Sequence, residues 1–453
     1  MNHFTISHIM NQPPTFLDED QRFWWTATAP SLARLLVSCK YSTEQQAAHL
    51  EWYRRFIPKA LGPRPIPGRK ALFVPCPVFD GSACEHSINW KERSSSRVVR
   101  FTIEAVGREA GSWRDPFNQD EARRMLASML GVVPGLSLKR FDMFARRLFI
   151  TQEGYAELTP RIPNGTPLSQ AWTAFDLLHG GVMAKVYFMP ILKMIETGKS
   201  TDDLVFDTVR DCNSDEYGTF DGPVSLLQDY TQTFTAAPYD APVVEMVAID
   251  CIDSPNSRIK LYLRTAANTL HRVKDLFTLG GRLSGPEIDE GVAALVELWP
   301  ILFRLDPRAV GIGNLEVFPR GSYCGCAIEM KPGQAKPETK IHIPVRKIAG
   351  TDAQLCESLA IWFRKRGHAE FASQYKTDLE SAFPAHDLER TRGTHTFVSF
   401  SYTRRTGVYM TMYYSTKIFD IHVKNFSMAQ QSEKDIWRGY DQLWRGKSRI
   451  VQR

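Results

Sequence analysis

Residues 258–264 read RIKLYLR, with a cation or a tyrosine at every second position: Arg258, Lys260, Tyr262 and Arg264. Ile259, Leu261 and Leu263 fill the positions between. Successive side chains of a strand point to opposite faces, so the segment predicts a strand with one aliphatic and one cationic, phenolic face. The aliphatic face needs cover. The other suits water, or the wall of a chamber that holds an anion.

Working outward, the same alternation recurs in pairs. Residues 83–90 pair with 97–106, 172–178 with 183–190, 243–250 with 258–264, 326–331 with 338–345, and 395–402 with 407–414. Turn residues join them: Gly180-Gly181, Asp253-Ser254-Pro255-Asn256 and Pro332-Gly333. Residues 19–61 begin with helical material, including a helix capped by Ser42 or Thr43 with Gly62 just past its end. Further helical patterns fall at roughly 119–131, 138–150, 222–235, 267–278, 287–304, 352–366 and 369–382. Five hairpins with helices between them form an irregular pseudo-repeat. No linker composition interrupts it, so one domain over 1–453 is expected.

The polar faces share a chemistry. Glu85, Ser87 and Asn89 lie together, as do Arg100, Thr102 and Glu104. Lys185 and Tyr187 oppose Val186 and Phe188, and Lys340 and His342 oppose Ile341 and Ile343. Tyr409, Thr411 and Tyr413 oppose Met410 and Met412. These faces read as rich in Arg, Lys and Tyr and poor in carboxylates, so they are not expected to neutralise themselves. A ten-strand sheet tends to curl, and closure removes its edges. The expectation is an α+β protein: an antiparallel barrel clothed in helices, with a cationic, tyrosine-lined lumen. Arg and Lys pair with phosphate oxygens, and tyrosine rings attract a carbocation by roughly 1–2 kcal/mol each when desolvated. Together they point to an allylic diphosphate.

The bulk properties exclude other classes. With 43% hydrophobic residues, 23% charged residues and a net charge of +6 spread along 453 residues, the chain has neither a nucleic-acid tail nor a basic membrane-surface helix. The opening MNHFTISHIMNQPPTF is not a secretory signal, and no stretch approaches the ~18 apolar residues of a bilayer span. A cytoplasmic protein is expected. Eight cysteines read as free thiols, and Cys324-x-Cys326 without a second pair is a poor zinc signal. The acidic run DDLVFD at 202–207 reads as a helix start.

At these strands the chain resembles the dimethylallyltryptophan synthase family of fungal aromatic (indole) prenyltransferases. The likeness runs through LARLLVSCKYSTEQQAAHLEWYRRFIPKALGPRP, AFDLLHGGVMAKVYFMP, RIKLYLRTAANTLHRVKDLFTLGGRL and HTFVSFSYTRRTGVYMTMYYS. It implies a ten-stranded barrel of αββα units, the ABBA fold. It implies transfer of a dimethylallyl group from dimethylallyl diphosphate to an indole-containing acceptor, without metal or cofactor, in secondary metabolism. That acceptor class includes cyclic dipeptides, indole diterpenes and other indole alkaloids. Carried over by position, Arg100, Lys185, Arg258, Lys260 and Lys340 are the diphosphate clamp. Tyr187, Tyr262 and Tyr413 are the cation shield, and Glu85 accepts the indole N–H. His342 stands where a shield tyrosine is usual and is a candidate base, Phe397 replaces a phenol, and Trp172 stands where a lysine base is found in members that alkylate tryptophan at C4. Trp172 is therefore expected to face the acceptor. The alternatives are a degenerate protein that binds prenyl diphosphate, or a prenyltransferase of a non-indole phenol.

Overall fold

A computed structural model describes residues 18–419, apart from 67–68, 70, 79, 152, 215, 235–239, 320–323 and 349. The N-terminal stretch read for a signal lies outside these residues.

Ten strands form one closed antiparallel barrel: β1 (Cys84–Lys91), β2 (Val99–Ile103), β3 (Ala171–Leu178), β4 (Gly181–Phe188), β5 (Val243–Asp250), β6 (Ile259–Thr265), β7 (Cys324–Met330), β8 (Glu338–Ile343), β9 (His395–Thr403) and β10 (Gly407–Ser415). Each hairpin predicted from alternation is present, and consecutive strands are neighbours around the ring. The ring closes where β1 meets β10, with Ser87 opposite Tyr413 and Asn89 opposite Thr411. Each of these ten strands thus has two partners, so the described barrel has no open edge.

The aliphatic faces point outward and are buried. Ile259, Leu261, Leu263, Val186, Phe188, Ile341, Ile343, Met410 and Met412 are at most 1% exposed. Their cover comes from helices that include Glu19–Ser38, Thr43–Phe56, Leu270–Thr278, Pro286–Phe303, Asp352–Lys365 and Ala369–Ala382. Ser42 caps the second of these in a reciprocal box with Gln45, and Gly62 beyond it adopts φ +73°, a left-handed backbone that favours glycine.

Two details differ from the sequence reading. β2 is shorter than 97–106, because the Asn89 side chain takes the Val98 N–H at 2.7 Å and Val106 N–H turns away to Ala60 O at 2.8 Å. Between β4 and β5 lie the helices Ile191–Thr197 and Thr201–Arg210. DDLVFD spans the first two turns of the second, a helix start as expected, with Ser200 Oγ accepting from Asp203 N–H at 3.0 Å.

Candidate active site

Register fixes which side chains share the lumen. Arg100 lies opposite Asp176, Lys185 opposite Asp250, Lys260 between Ala248 and Glu329, and Lys340 opposite Ala327. The five expected clamp cations therefore converge at one end of the barrel.

The expectation that these cations lack carboxylate partners is wrong. Asp176 bridges Arg100 at 3.2 Å and Lys185 at 2.5 Å. Asp250 holds Arg258 at 2.7 Å, while Glu329 reaches Arg258 at 3.4 Å and Lys260 at 2.7 Å. Buried charges are tolerable when paired and hydrogen-bonded, and these carboxylates keep the cations aimed before a ligand arrives. Burial opposes ionisation of Asp176 and Glu329. Their cationic neighbours nevertheless hold both carboxyls well below the usual range, Arg100 and Lys185 acting on the first and Lys260 and Arg258 on the second. Five cations against three carboxylates leave an excess of positive charge at this end.

Lys340 carries much of that excess. Its ammonium stands 3.7 Å from the centroid of the Tyr409 ring and 3.5 Å from Thr411 Oγ1. Burial lowers the Lys340 ammonium to about 8, and likewise Lys185, where Asp176 resists the fall. Tyr409 belongs to the clamp as well, although the sequence placed it only on the lumen face. Burial disfavours its phenolate, but Arg100 and Lys340 outweigh burial and bring it down to about 6. Asn89 Nδ2 donates to its hydroxyl at 3.4 Å.

Next along the lumen comes a row of rings. Tyr187 and Tyr262 have centroids 5.4 Å apart, Tyr262 and His342 5.6 Å, and His342 and Tyr413 5.8 Å. The four rings sit on β4, β6, β8 and β10, and between them the intervening strands carry Ala248, Ala327 and Ser399. Small residues on alternate strands give the rings room to face the lumen. Burial pushes all three phenols up, so each stays neutral. Burial first, then Lys340 and Lys260, lowers His342 to about 3, so its imidazole is also neutral.

Glu85 and Trp172 lie at the opposite end from the clamp. Glu85 accepts from Thr396 Oγ1 at 2.7 Å. Burial raises its carboxyl to about 8 against that bond and the pull of Arg346. Trp172 is half-buried opposite Tyr187. Glu104, expected on this face, lies just past β2. Its carboxylate is taken up by Ser169 Oγ at 2.6 Å and Cys76 N–H at 3.0 Å. Among the described residues, no group of three or more His, Cys, Asp or Glu is arranged to hold a metal ion.

A preorganised cation clamp beside neutral, electron-rich rings, inside a closed barrel, is suited to ionising an allylic diphosphate. Comparison with known proteins agrees. The family model described as tryptophan dimethylallyltransferase matches residues 20–378, and the chain belongs to that family. It is 39% identical over 434 residues to prenyltransferase iacE of Pestalotiopsis fici, covering 91% of this chain and 97% of that protein. It is 33% identical to the 7-dimethylallyltryptophan synthase hasE of Aspergillus fumigatus, over 88% of this chain and 85% of the other. Among solved structures, AnaPT from Neosartorya fischeri superposes with a TM-score of 0.78 at 26% identity, covering 88% and 94% of the two chains.

Proposed function

We propose that the protein transfers a dimethylallyl group from dimethylallyl diphosphate to a carbon of an indole-containing acceptor, with the clamp cations in place of a metal. The observation that carries this reading is the adjacency of a paired, net-positive clamp and the ring row, with Lys185, Lys260 and Lys340 two residues before Tyr187, Tyr262 and His342 on β4, β6 and β8. Arg100, Lys185, Arg258, Lys260 and Lys340 hold the diphosphate. The allylic C–O bond breaks with its electron pair leaving on the diphosphate oxygen, whose growing charge the clamp stabilises. Tyr187, Tyr262 and Tyr413 flank the cation and keep water away. The acceptor ring, oriented by its N–H on Glu85 and stacked against Trp172, forms the new C–C bond. Loss of the ring proton restores aromaticity, and His342 Nε2 or a diphosphate oxygen receives it. His342 is a weak base in the empty site, and the arriving diphosphate raises its basicity by offsetting Lys340 and Lys260.

We read 1–453 as one domain, because barrel closure joins strands as distant in sequence as β1 and β10. Eight free cysteines support a cytoplasmic location. The deciding experiment is a mass-spectrometric screen of dimethylallyl diphosphate with tryptophan, tryptophan-containing cyclic dipeptides and indole diterpenes, in excess EDTA. A product heavier by one dimethylallyl group establishes the transferase. Diphosphate binding with neither transfer nor hydrolysis would instead favour a binding protein, whereas hydrolysis alone would mean an ionising site whose acceptor lies outside the panel.

A further inference from the structure

At the end of the lumen far from the clamp, the odd-numbered strands turn bulky. β1 presents Glu85, β3 Trp172, β5 Met246 and β9 Phe397. β7 does not. It presents Gly325, in register with Arg264 on one side and His342 on the other. The backbone there does not require glycine, since Gly325 is absent from the positive-φ positions, and glycine within a strand weakens it by about 1 kcal/mol. Space is the remaining reason: a Cβ at 325 would meet His342 Cβ at 3.3 Å.

The walls of this gap are polar. Among the described residues, His342 Nε2 is buried and has no hydrogen-bond partner, a costly state that a ligand would relieve. Arg264 is 5% exposed in its side chain and faces Glu245 at 3.9 Å. The register shift between Val244 and Met246 places Glu245 at a bulge, the device that re-aims a side chain beside a site.

We infer that the notch over Gly325, walled by His342 and Arg264, binds a hydroxyl of the acceptor, so that the preferred acceptor is a hydroxylated arene. The inference rests on the transferase reading and sharpens its acceptor. A hydroxyl both donates and accepts, so it satisfies His342 Nε2 in either tautomer. The notch and Glu85 stand on opposite sides of the ten-strand ring, so an acceptor that spans the lumen is held at both ends.

The test titrates the full-length protein, with inorganic pyrophosphate present, against indole and the 4-, 5-, 6- and 7-hydroxyindoles by calorimetry. Pyrophosphate affinity alone reports separately on the clamp. At least one hydroxyindole should bind about tenfold tighter than indole, the value of one well-made hydrogen bond. His342→Phe, which keeps a ring, and Gly325→Ala, whose Cβ crowds His342 across the notch, should each bring that ratio close to one. His342→Gln should restore part of it, and circular dichroism checks each fold. Equal affinity for indole and every hydroxyindole, or a preference that survives both substitutions, overturns the notch while leaving the transferase intact. If His342→Phe weakens pyrophosphate and leaves the ratio unchanged, Nε2 serves the clamp and the notch is likewise overturned. Failure of the wild type to bind pyrophosphate or any arene overturns both readings together.

Discussion

On β4, β6 and β8 the lumen face carries Lys185 and Tyr187, Lys260 and Tyr262, and Lys340 and His342; on β3, β5 and β7 the matching positions are Ala174 and Asp176, Ala248 and Asp250, and Ala327 and Glu329. Even strands bring cations and rings, whereas odd strands bring carboxylates and small residues. Each carboxylate stands beside the cations it holds, and Ala248 and Ala327 lie beside Tyr187 and Tyr262. The pattern therefore has period two along a strand and period two around the barrel. It teaches that the odd strands supply alignment and room, and the even strands the groups that touch the donor.

The sharpest way to break this comparison is to cut one member from each side of an ion pair. Lys260→Ala removes a cation expected to touch the diphosphate and leaves Glu329 with Arg258 alone. Its kcat/KM should fall about a thousandfold, with pyrophosphate binding weakened in parallel. Glu329→Gln removes only the aligning partner and should lose no more than about tenfold. Steady-state kinetics and calorimetry decide the point, and equal losses would show that both strands touch the donor.

Glu85 is an odd-strand residue with a proposed direct role, so it sharpens the division at the acceptor end. Glu85→Gln should lower kcat/KM toward an indole about a hundredfold and leave pyrophosphate affinity unchanged. A carboxyl raised to about 8 is neutral below that pH and charged above it. With donor saturating, the wild-type rate should climb through pH 8, a rise that the Gln variant lacks. An unchanged profile removes the carboxylate from the acceptor site.

Much of this was legible in the sequence, for a physical reason. Strands state their faces directly, so RIKLYLR disclosed both the buried side and the lumen side, and the hairpins followed from the same alternation. The carboxylates were harder to see. Asp176 in AFDLL and Asp250 at the end of VVEMVAID are embedded in apolar runs, and pairing across strands is not written in either strand alone. Tyr409 was visible on the right face, but its charge state depends on Arg100 from β2 and Lys340 from β8. The bulge at Glu245 and the gap at Gly325 are likewise properties of neighbours.

The role of small residues as spacers can be tested at Ala248, which is 3% exposed and pairs with both Tyr187 and Lys260. Ala248→Leu overfills a packed wall, and such changes cost about 1–3 kcal/mol. A lower Tm should accompany a larger share of donor lost to water, because a displaced Tyr187 no longer seals the cation. The comparable change on an outward, helix-covered position, Ile259→Val, should lower Tm by less and leave the ratio of hydrolysis to transfer unaltered.

The smallest effect concerns Tyr409, which occupies the clamp as an anion before the donor does. Below about pH 6 it is a neutral phenol; above, it is a phenolate held by Arg100 and Lys340. A diphosphate must displace or protonate that phenolate, so raising the pH through 6 should weaken pyrophosphate binding by a few-fold relative to Tyr409→Phe, which has no charge to lose. Pyrophosphate titrates in the same range, but it does so equally for both proteins, so the ratio of their affinities isolates the tyrosine. That ratio should favour the Phe variant at pH 7, below the titration of Lys340 near 8, and converge at pH 5. A ratio constant with pH would mean that Tyr409 remains a neutral ring beneath Lys340, and that the even strands hold only neutral aromatic groups at both ends of the lumen.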